Sequence, residues 1–459
     1  MVEYQFTDCD RRNFFGTHVE LQLGPWRTRY LSFAYPNTQH LPPVVFIGGA
    51  FQNAWSFRAE VAGLLDLRPI LIVELPGQGS NTQVCAEFGF TELATLLAQV
   101  LDHLGLDQVL PIGLSYGAAI VHRFGVLFPE RARKLVLVGI APRLPRSAHL
   151  FSRAFAWLLH NGQKQAFATS LTQHLFNVAA LHHTGVTPAL MQRLADSILK
   201  FDANQTERFD ANLRRLHVEQ LEGQPRQPTF VLAGRHDSFV HPHEAMAVAN
   251  ACEAGQLALA TDCDHLAPLE RPERLVAIYR ALLQDKPIDS VPSMLTGEVA
   301  TRALAERRLS PRCWGQQAKL VLTSPDGQRF DAELVDVSSH GCRVRRAIQF
   351  DADDNPAPWR VQFADTDVAT DALPYGNAAD FGAGDDSRLL FLNTDFDATA
   401  ALKAHIDSSF RCSLEQCPQS FATEANGWGG THRTATISDP PCVRRPLAYE
   451  KPGRTNVTF

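Results

Sequence analysis

The sequence predicts an α/β protein: a parallel sheet covered by helices and carrying a helical cap, then a small antiparallel β-barrel and a disordered tail. Three observations predict it. Short apolar runs alternate with amphipathic helical stretches over residues 43–139 and again over 229–283, the pattern of strands joined by helical crossovers. Between them, residues 141–227 show helical periodicity only. From residue 302 short strand-like segments separated by turns take over, and beyond 408 a stretch rich in Gly, Thr, Pro, Ser and Arg has no period.

The elements follow in order. Residues 18–23 and 29–34 alternate as two antiparallel strands would. Residues 43–47 read as a buried strand running into Gly48-Gly49-Ala50-Phe51, followed by a helical stretch over 55–65. The next strand, 70–75, is closed by Pro76-Gly77-Gln78-Gly79-Ser80. The helix over 90–104 puts Leu93, Leu96, Leu97, Val100, Leu101 and Leu104 on one stripe. A strand over 108–112, a helix and a strand over 134–139 lead into the cap; strands at 229–233 and 256–260 and a helix over 272–283 follow it. A composition of Pro, Asp and Ser predicts a linker over 286–301. Barrel strands are expected at 319–323, 329–334, 342–345, 359–363 and 388–392, with a helix over 398–406 closing the barrel and an Asp, Ala and Gly-rich insertion over 351–386. The expected domains are therefore 1–285 with its cap at 141–227, the linker 286–301, the barrel 302–407 and the tail 408–459.

Composition narrows the function. At 459 residues the chain is too long for one core. A formal net charge of −6 argues against a nucleic-acid polymer as partner and makes any anion site local. No run approaches the roughly 20 apolar residues of a membrane helix, and the charged stretch from Met1 to Glu20 is not a signal peptide. Nine scattered cysteines without a C-x-x-C pair predict reduced thiols in a cytoplasmic protein, with neither a disulfide frame nor a metal site.

The candidate nucleophile is Ser115, in Gly113-Leu114-Ser115-Tyr116-Gly117 at a strand-to-helix junction. The turn strains the serine backbone, and side chains at 113 or 117 would meet the neighbouring strand and helix. A serine hydroxyl needs a base, and the base needs an orienting acid. His265 follows the strand at 256–260, and Asp237 follows the strand at 229–233, so both stand on loops after strands, in the order nucleophile, acid, base. His236 competes as base, and Asp262 and Asp264 as acid. The oxyanion donors expected are the backbone N–H groups of Tyr116 and Ala50, with Phe51 next after Ala50.

Residues 1–285 resemble an α/β-hydrolase-fold protein through Gly48-Gly49-Ala50, Glu74-Leu75-Pro76-Gly77-Gln78-Gly79-Ser80, the Ser115 turn, Gly234-Arg235-His236-Asp237, and Asp264-His265 with Arg271-Pro272-Glu273. The run Phe46-Ile47-Gly48-Gly49-Ala50-Phe51, with Ser56-Phe57, is similar to the hydroxyacyl transferases that make rhamnolipid precursors and polyester monomers. The departures are Gly48-Gly49 where many members carry His-Gly, and Glu74 where Asp is usual. The resemblance implies a cofactor-independent serine hydrolase or acyltransferase that works through an acyl-serine on a small-molecule ester or thioester.

A second pair of motifs lies C-terminal. Arg308-x-x-x-Arg312 puts two guanidinium groups on an arm, able to fork onto phosphates and stack on a purine. Asp336-x-Ser338-x-x-Gly341 stands at a strand end. With these signatures, residues 302–407 resemble a PilZ domain, which implies a six-stranded barrel binding cyclic di-GMP through Arg308, Arg312, Asp336, Ser338 and Gly341. The joint expectation is an acyl hydrolase or transferase regulated by cyclic di-GMP. A non-catalytic signalling adaptor that docks a protein partner is the alternative.

Overall fold

The protein is described here from a computed structural model, which covers residues 3–16, 18–84, 86–304, 312–313, 318–346, 356–364, 366–376 and 386–410. The N-terminal part is built on a nine-stranded sheet: β1 (Val19–Leu23), β2 (Trp26–Phe33), β3 (Val44–Ile47), β4 (Ile70–Glu74), β5 (Leu110–Leu114), β6 (Leu135–Val138), β7 (Thr229–Gly234), β8 (Gly255–Ala260) and β9 (Met294–Thr296). Its order is β1-β2-β4-β3-β5-β6-β7-β8-β9, parallel from β4 to β8 and antiparallel at both edges. Strands β3, β4 and β6 are buried at every position, because helices cover both faces. Alternation sorts their side chains between two cores. Val45, Ile47, Leu71 and Val73 join the helix Phe90–His103 and the helix Tyr116–Leu127 on one face; Val44, Phe46, Ile70 and Ile72 meet Phe57, Val61 and Tyr279 on the other.

Between β6 and β7 the chain leaves the sheet for the helices Arg146–His160, Lys164–Leu175, Leu181–Thr184, Pro188–Leu199 and Ala203–Val218, the expected cap. Asp202 caps the last of these in a capping box with Gln205. The segment expected as a linker is folded. It carries a 3-10 turn (Ile288–Ser290), β9 and the helix Gly297–Ala303, and β9 pairs with β8, Leu295 opposite Leu259. Met294 is buried in the sheet's core, so three residues of strand suffice to close this edge.

The C-terminal part is a closed six-stranded antiparallel barrel of β10 (Lys319–Thr323), β11 (Arg329–Ser338), β12 (Gly341–Arg345), β13 (Trp359–Phe363), β14 (Ala369–Gly376) and β15 (Asp386–Phe391), in the order β10-β11-β12-β15-β14-β13. β14 was not anticipated: it lies inside the stretch expected as an insertion. Leu320, Leu322, Val344, Val361 and Phe391 fill the interior, and the helix Phe396–Ser409 adds Leu402 and Ile406 to it. That helix runs to Ser409, past the expected start of the tail at 408; residues 411–459 lie outside the described residues. Cys9, Cys252, Cys263 and Cys342 are thiols, but Cys313 is disulfide-bonded, against the expectation of reduced cysteines throughout. Among the described residues no helix is long and apolar enough to cross a membrane.

Candidate active site and the barrel cavity

Ser115 stands between β5 and the helix Tyr116–Leu127 with φ 50° and ψ −117°, a left-handed-side conformation that costs a serine energy. Its N–H donates to Val138 O at 2.7 Å, which ties the turn to the next strand. The flanking glycines are required by close approach. A Cβ at position 113 would stand 2.6 Å from Ala118 Cα, and one at 117 only 2.5 Å from Gly48 O. Gly117 therefore lets the elbow helix rest on the end of β3, the strand that carries the oxyanion loop.

Ser115 Oγ lies 3.2 Å from His265 Nε2, and His265 Nδ1 lies 2.8 Å from Asp237 Oδ2. Asp237 Oδ1 accepts the N–H of Phe239 at 3.0 Å and of Val240 at 2.7 Å, so its other oxygen is aimed at the imidazole. The three side chains come from loops after β5, β7 and β8, which are brought together only by the sheet order. Burial opposes charge on His265, but the charge and hydrogen bond of Asp237, with Glu270 behind, outweigh it and hold its pKa above the usual 6.5. In the oxyanion loop, Gly49 N–H is taken by Gln52 Oε1 at 2.7 Å, and Gln78 Nε2 donates to Gly48 O at 2.6 Å. A Cβ on Gly49 would touch Ser115 Cβ at 3.4 Å, so the loop that carries Ala50 packs directly against Ser115.

Glu74, where the family pattern has Asp, is structural. It accepts from Ala54 N–H at 2.9 Å and from Ser80 N–H at 2.8 Å, and so ties the oxyanion side of the fold to the Pro76–Ser80 turn.

Of the surrounding residues, Asn177 and Arg215 carry no sequence signal, whereas Asp264, His236 and Phe51 are ones the sequence offers for other roles. Asp264 is engaged by backbone: its Oδ1 accepts His265 N–H at 2.7 Å, and its Oδ2 accepts Asn177 N–H from the cap. Glu270 Oε2 in turn accepts Asp264 N–H at 2.7 Å. Burial, with Glu270 and Asp237 beside it, pushes Asp264 well up; burial likewise raises Glu270 to about 7. His236 stacks on His183 of the cap, 4.9 Å between centroids. Arg215, 4% exposed, reaches from the cap to Tyr116 Oη and to Phe88 O, anchoring the residue after the nucleophile. Phe51 stacks on Phe201 and Phe209 at 5.5 and 5.0 Å, so cap aromatics cover the oxyanion loop.

In the barrel, Arg308 lies outside the described residues, whereas Arg312, Asp336, Ser338 and Gly341 come together. Asp336, 2% exposed, accepts from Arg312 Nη1 and, at 2.9 Å, from Arg343 Nε; Arg343 had not been anticipated. Ser338 Oγ accepts His340 N–H at 3.3 Å, and a side chain at Gly341 would overlap Leu389 O. Arg312, Ser338 and Gly341 line a cavity of about 260 Å³, with Arg388 from β15. Among the described residues no group of His, Cys, Asp and Glu is arranged to hold a metal.

The alpha/beta hydrolase fold family matches residues 42–272 and leaves the barrel outside the match. The chain is 32% identical over 106 residues to a poly(3-hydroxyalkanoate) depolymerase of Ectopseudomonas oleovorans, a match spanning 23% of this chain and 38% of that protein. It is 26% identical over 234 residues to a 2-hydroxy-6-oxononadienedioate/2-hydroxy-6-oxononatrienedioate hydrolase of Pseudomonas putida, covering 47% of this chain and 77% of the relative. An alpha/beta hydrolase enzyme from a Medee basin deep-sea metagenome library superposes with a TM-score of 0.52 at 16% identity, over 59% of this chain and 98% of its own. With the family match running over half its length, from the strand before the oxyanion loop to the helix after His265, the chain belongs to the alpha/beta hydrolase fold family and is an enzyme of the hydrolase type.

Proposed function

We propose that the chain is a serine hydrolase of carboxylic ester or thioester bonds, working through an acyl-Ser115 intermediate and regulated by cyclic di-GMP held on its barrel. One observation carries the catalytic reading: the continuous chain Ser115 Oγ–His265 Nε2 at 3.2 Å and His265 Nδ1–Asp237 Oδ2 at 2.8 Å. In this reading His265 takes the Ser115 proton as Oγ attacks the acyl carbon, and Asp237 keeps Nε2 unprotonated and stabilises the imidazolium. The N–H groups of Tyr116 and Ala50 hold the oxyanion until the leaving group departs with the proton from His265. Water then repeats the sequence on the acyl-serine. The depolymerase's named substrate and the hydroxyacyl transferase resemblance share a 3-hydroxyacyl unit, which makes such chains the first substrates to try.

Transfer to a hydroxyl in place of water is the second reading. It is favoured by the aromatic cover of Phe51, Phe201 and Phe209 over the oxyanion loop, which would keep water from the acyl-enzyme. For the barrel, the support is its closed six-stranded form and the cavity lined by Arg312, Ser338 and Gly341, with Asp336 pairing Arg312 behind it. Arg308 would complete the arm.

The test is turnover of p-nitrophenyl esters and acyl thioesters of graded length, with and without cyclic di-GMP. Ser115→Ala should lose at least about 10⁴-fold in kcat. Wild-type rates surviving in Ser115→Ala would overturn the catalytic reading; rates and binding indifferent to cyclic di-GMP would overturn the regulatory one. Free acid as product marks hydrolysis, and ester formed with an added hydroxyacyl acceptor marks transfer.

A further inference from the structure

The cavity at the barrel's Arg312 is not built by the barrel alone. Its second wall is Ser147, Phe151 and His174 of the cap together with Ser238 and His241. The last two belong to the loop that begins at the catalytic acid, one and four residues after Asp237.

The two walls are joined firmly. Ser170 Oγ donates to Leu392 O, and Gln173 Nε2 donates to Asn393 O at 2.9 Å. The Arg146 guanidinium lies 5.5 Å from the Tyr375 ring centroid, and Leu373 and Leu392 are buried within the cap's own core. The cavity is thus a fixed seam between two packed bodies.

Its chemistry is that of an anion site with room for a base. Arg312 and Arg388 supply positive charge from one side. From the other, His241 contributes an imidazole and Ser238 a hydroxyl to the lining. Phe151 and Tyr375 bring aromatic rings to the wall, against which a purine could pack. At about 260 Å³ the space lies just under the roughly 300–1,000 Å³ of small-molecule sites, so it takes part of a dinucleotide with the remainder over the mouth.

We propose that the hydrolase part supplies half of the nucleotide site, with His241 and Ser238 contacting the ligand's phosphodiester, and that occupancy acts on Asp237 through the loop they share. The proposal rests on the reading that the barrel binds cyclic di-GMP. The route to the reaction centre is short. Phe239, between the two contact residues, packs edge-on against His265 at 5.1 Å, and its N–H and that of Val240 hold Asp237 Oδ1. A ligand that fixes positions 238 and 241 therefore also fixes the donors that aim the catalytic acid.

The experiment is calorimetric titration of the full-length protein with cyclic di-GMP, using wild type, Arg312→Ala, His241→Ala, His241→Gln and Ser238→Ala, each checked for an unchanged near-UV circular dichroism spectrum. Expected are binding by wild type, loss in Arg312→Ala, and a Kd at least tenfold weaker in His241→Ala. His241→Gln, which retains an N–H donor, should recover most of the affinity. Hydrogen exchange of the Phe239 and Val240 amides should slow when ligand is added. If His241→Ala and Ser238→Ala both bind within twofold of wild type while Arg312→Ala does not bind, the shared site is overturned and the barrel reading stands. If wild type itself does not bind, the barrel reading fails and the shared site with it. Unchanged exchange at 239 and 240 despite binding overturns the route to Asp237.

Discussion

Asp237→Asn is the sharpest perturbation of the proposed reaction centre, because the geometry dictates which way the new amide must turn. Asp237 Oδ1 accepts two backbone N–H groups, from Phe239 at 3.0 Å and Val240 at 2.7 Å. In the variant only the amide oxygen can stay there, since an NH₂ would face two donors. The NH₂ must then point at His265 Nδ1, now 2.8 Å from Asp237 Oδ2, and can be satisfied only if Nδ1 carries no proton. The proton moves to Nε2, which then faces Ser115 Oγ as a donor and cannot take its proton. The negative charge that stabilises the imidazolium is lost as well. Together these should lower kcat by about 10⁴-fold, ~5.5 kcal/mol of transition-state stabilisation. The fold should hold, because the loop's two N–H groups keep their acceptor. The assay is kcat on a p-nitrophenyl ester beside a thermal melt. A properly folded Asp237→Asn protein within tenfold of wild type would refute the argument.

Three further outcomes follow from the same structure. If His265 is the base, as proposed, the activity of wild type should rise with pH through an apparent pKa above 6.5, because its neutral form would be the active one and its proton is held by Asp237 and Glu270 against the effect of burial. Glu270→Gln keeps an acceptor for Asp264 N–H but removes one negative charge, so the limb should move to lower pH; a limb that stays in place counts against it. Gly117→Ala would drive a Cβ to 2.5 Å from Gly48 O, where backbone must yield, so a loss of roughly 3 kcal/mol on denaturant unfolding is expected together with reduced kcat. A melt indistinguishable from wild type would be incompatible with that packing. Glu60 is buried in the core under the helix Pro272–Leu283, and burial lifts its pKa to about 7. Its ionisation opposes the fold: no penalty exists below the ordinary 4.5, and the penalty grows as pH rises towards 7. Glu60→Gln should therefore be more stable than wild type at pH 8 by up to roughly 3 kcal/mol, with the difference gone near pH 4. Equal stabilities at pH 8 would contradict it.

What the sequence determined by itself was everything written in local pattern. That Ser115, Asp237 and His265 lie on loops after β5, β7 and β8 is legible because each follows an apolar strand directly; that their side chains meet is decided by the sheet order. Gly113 and Gly117 were readable because the turn has no room for a side chain. Asp336, Ser338 and Gly341 share one short spacing, and the structure gathers them with Arg312 at one end of the barrel. The helix-only stretch between β6 and β7 marked the cap by local pattern as well. Other features were hidden. The three-residue β9 and the strand β14 sit in Pro, Asp, Ala and Gly-rich stretches whose composition speaks for loops, and only pairing with a neighbour makes them strands. The partners of the site were hidden by distance along the chain: Arg215 finds Tyr116 across 99 residues, Asn177 finds Asp264 across 87, and Gln173 finds Asn393 across 220. No spacing rule connects such residues. They meet because burying the cap against the sheet, and the barrel against the cap, leaves each polar group to be satisfied by whatever lies opposite it, and that is decided by packing alone.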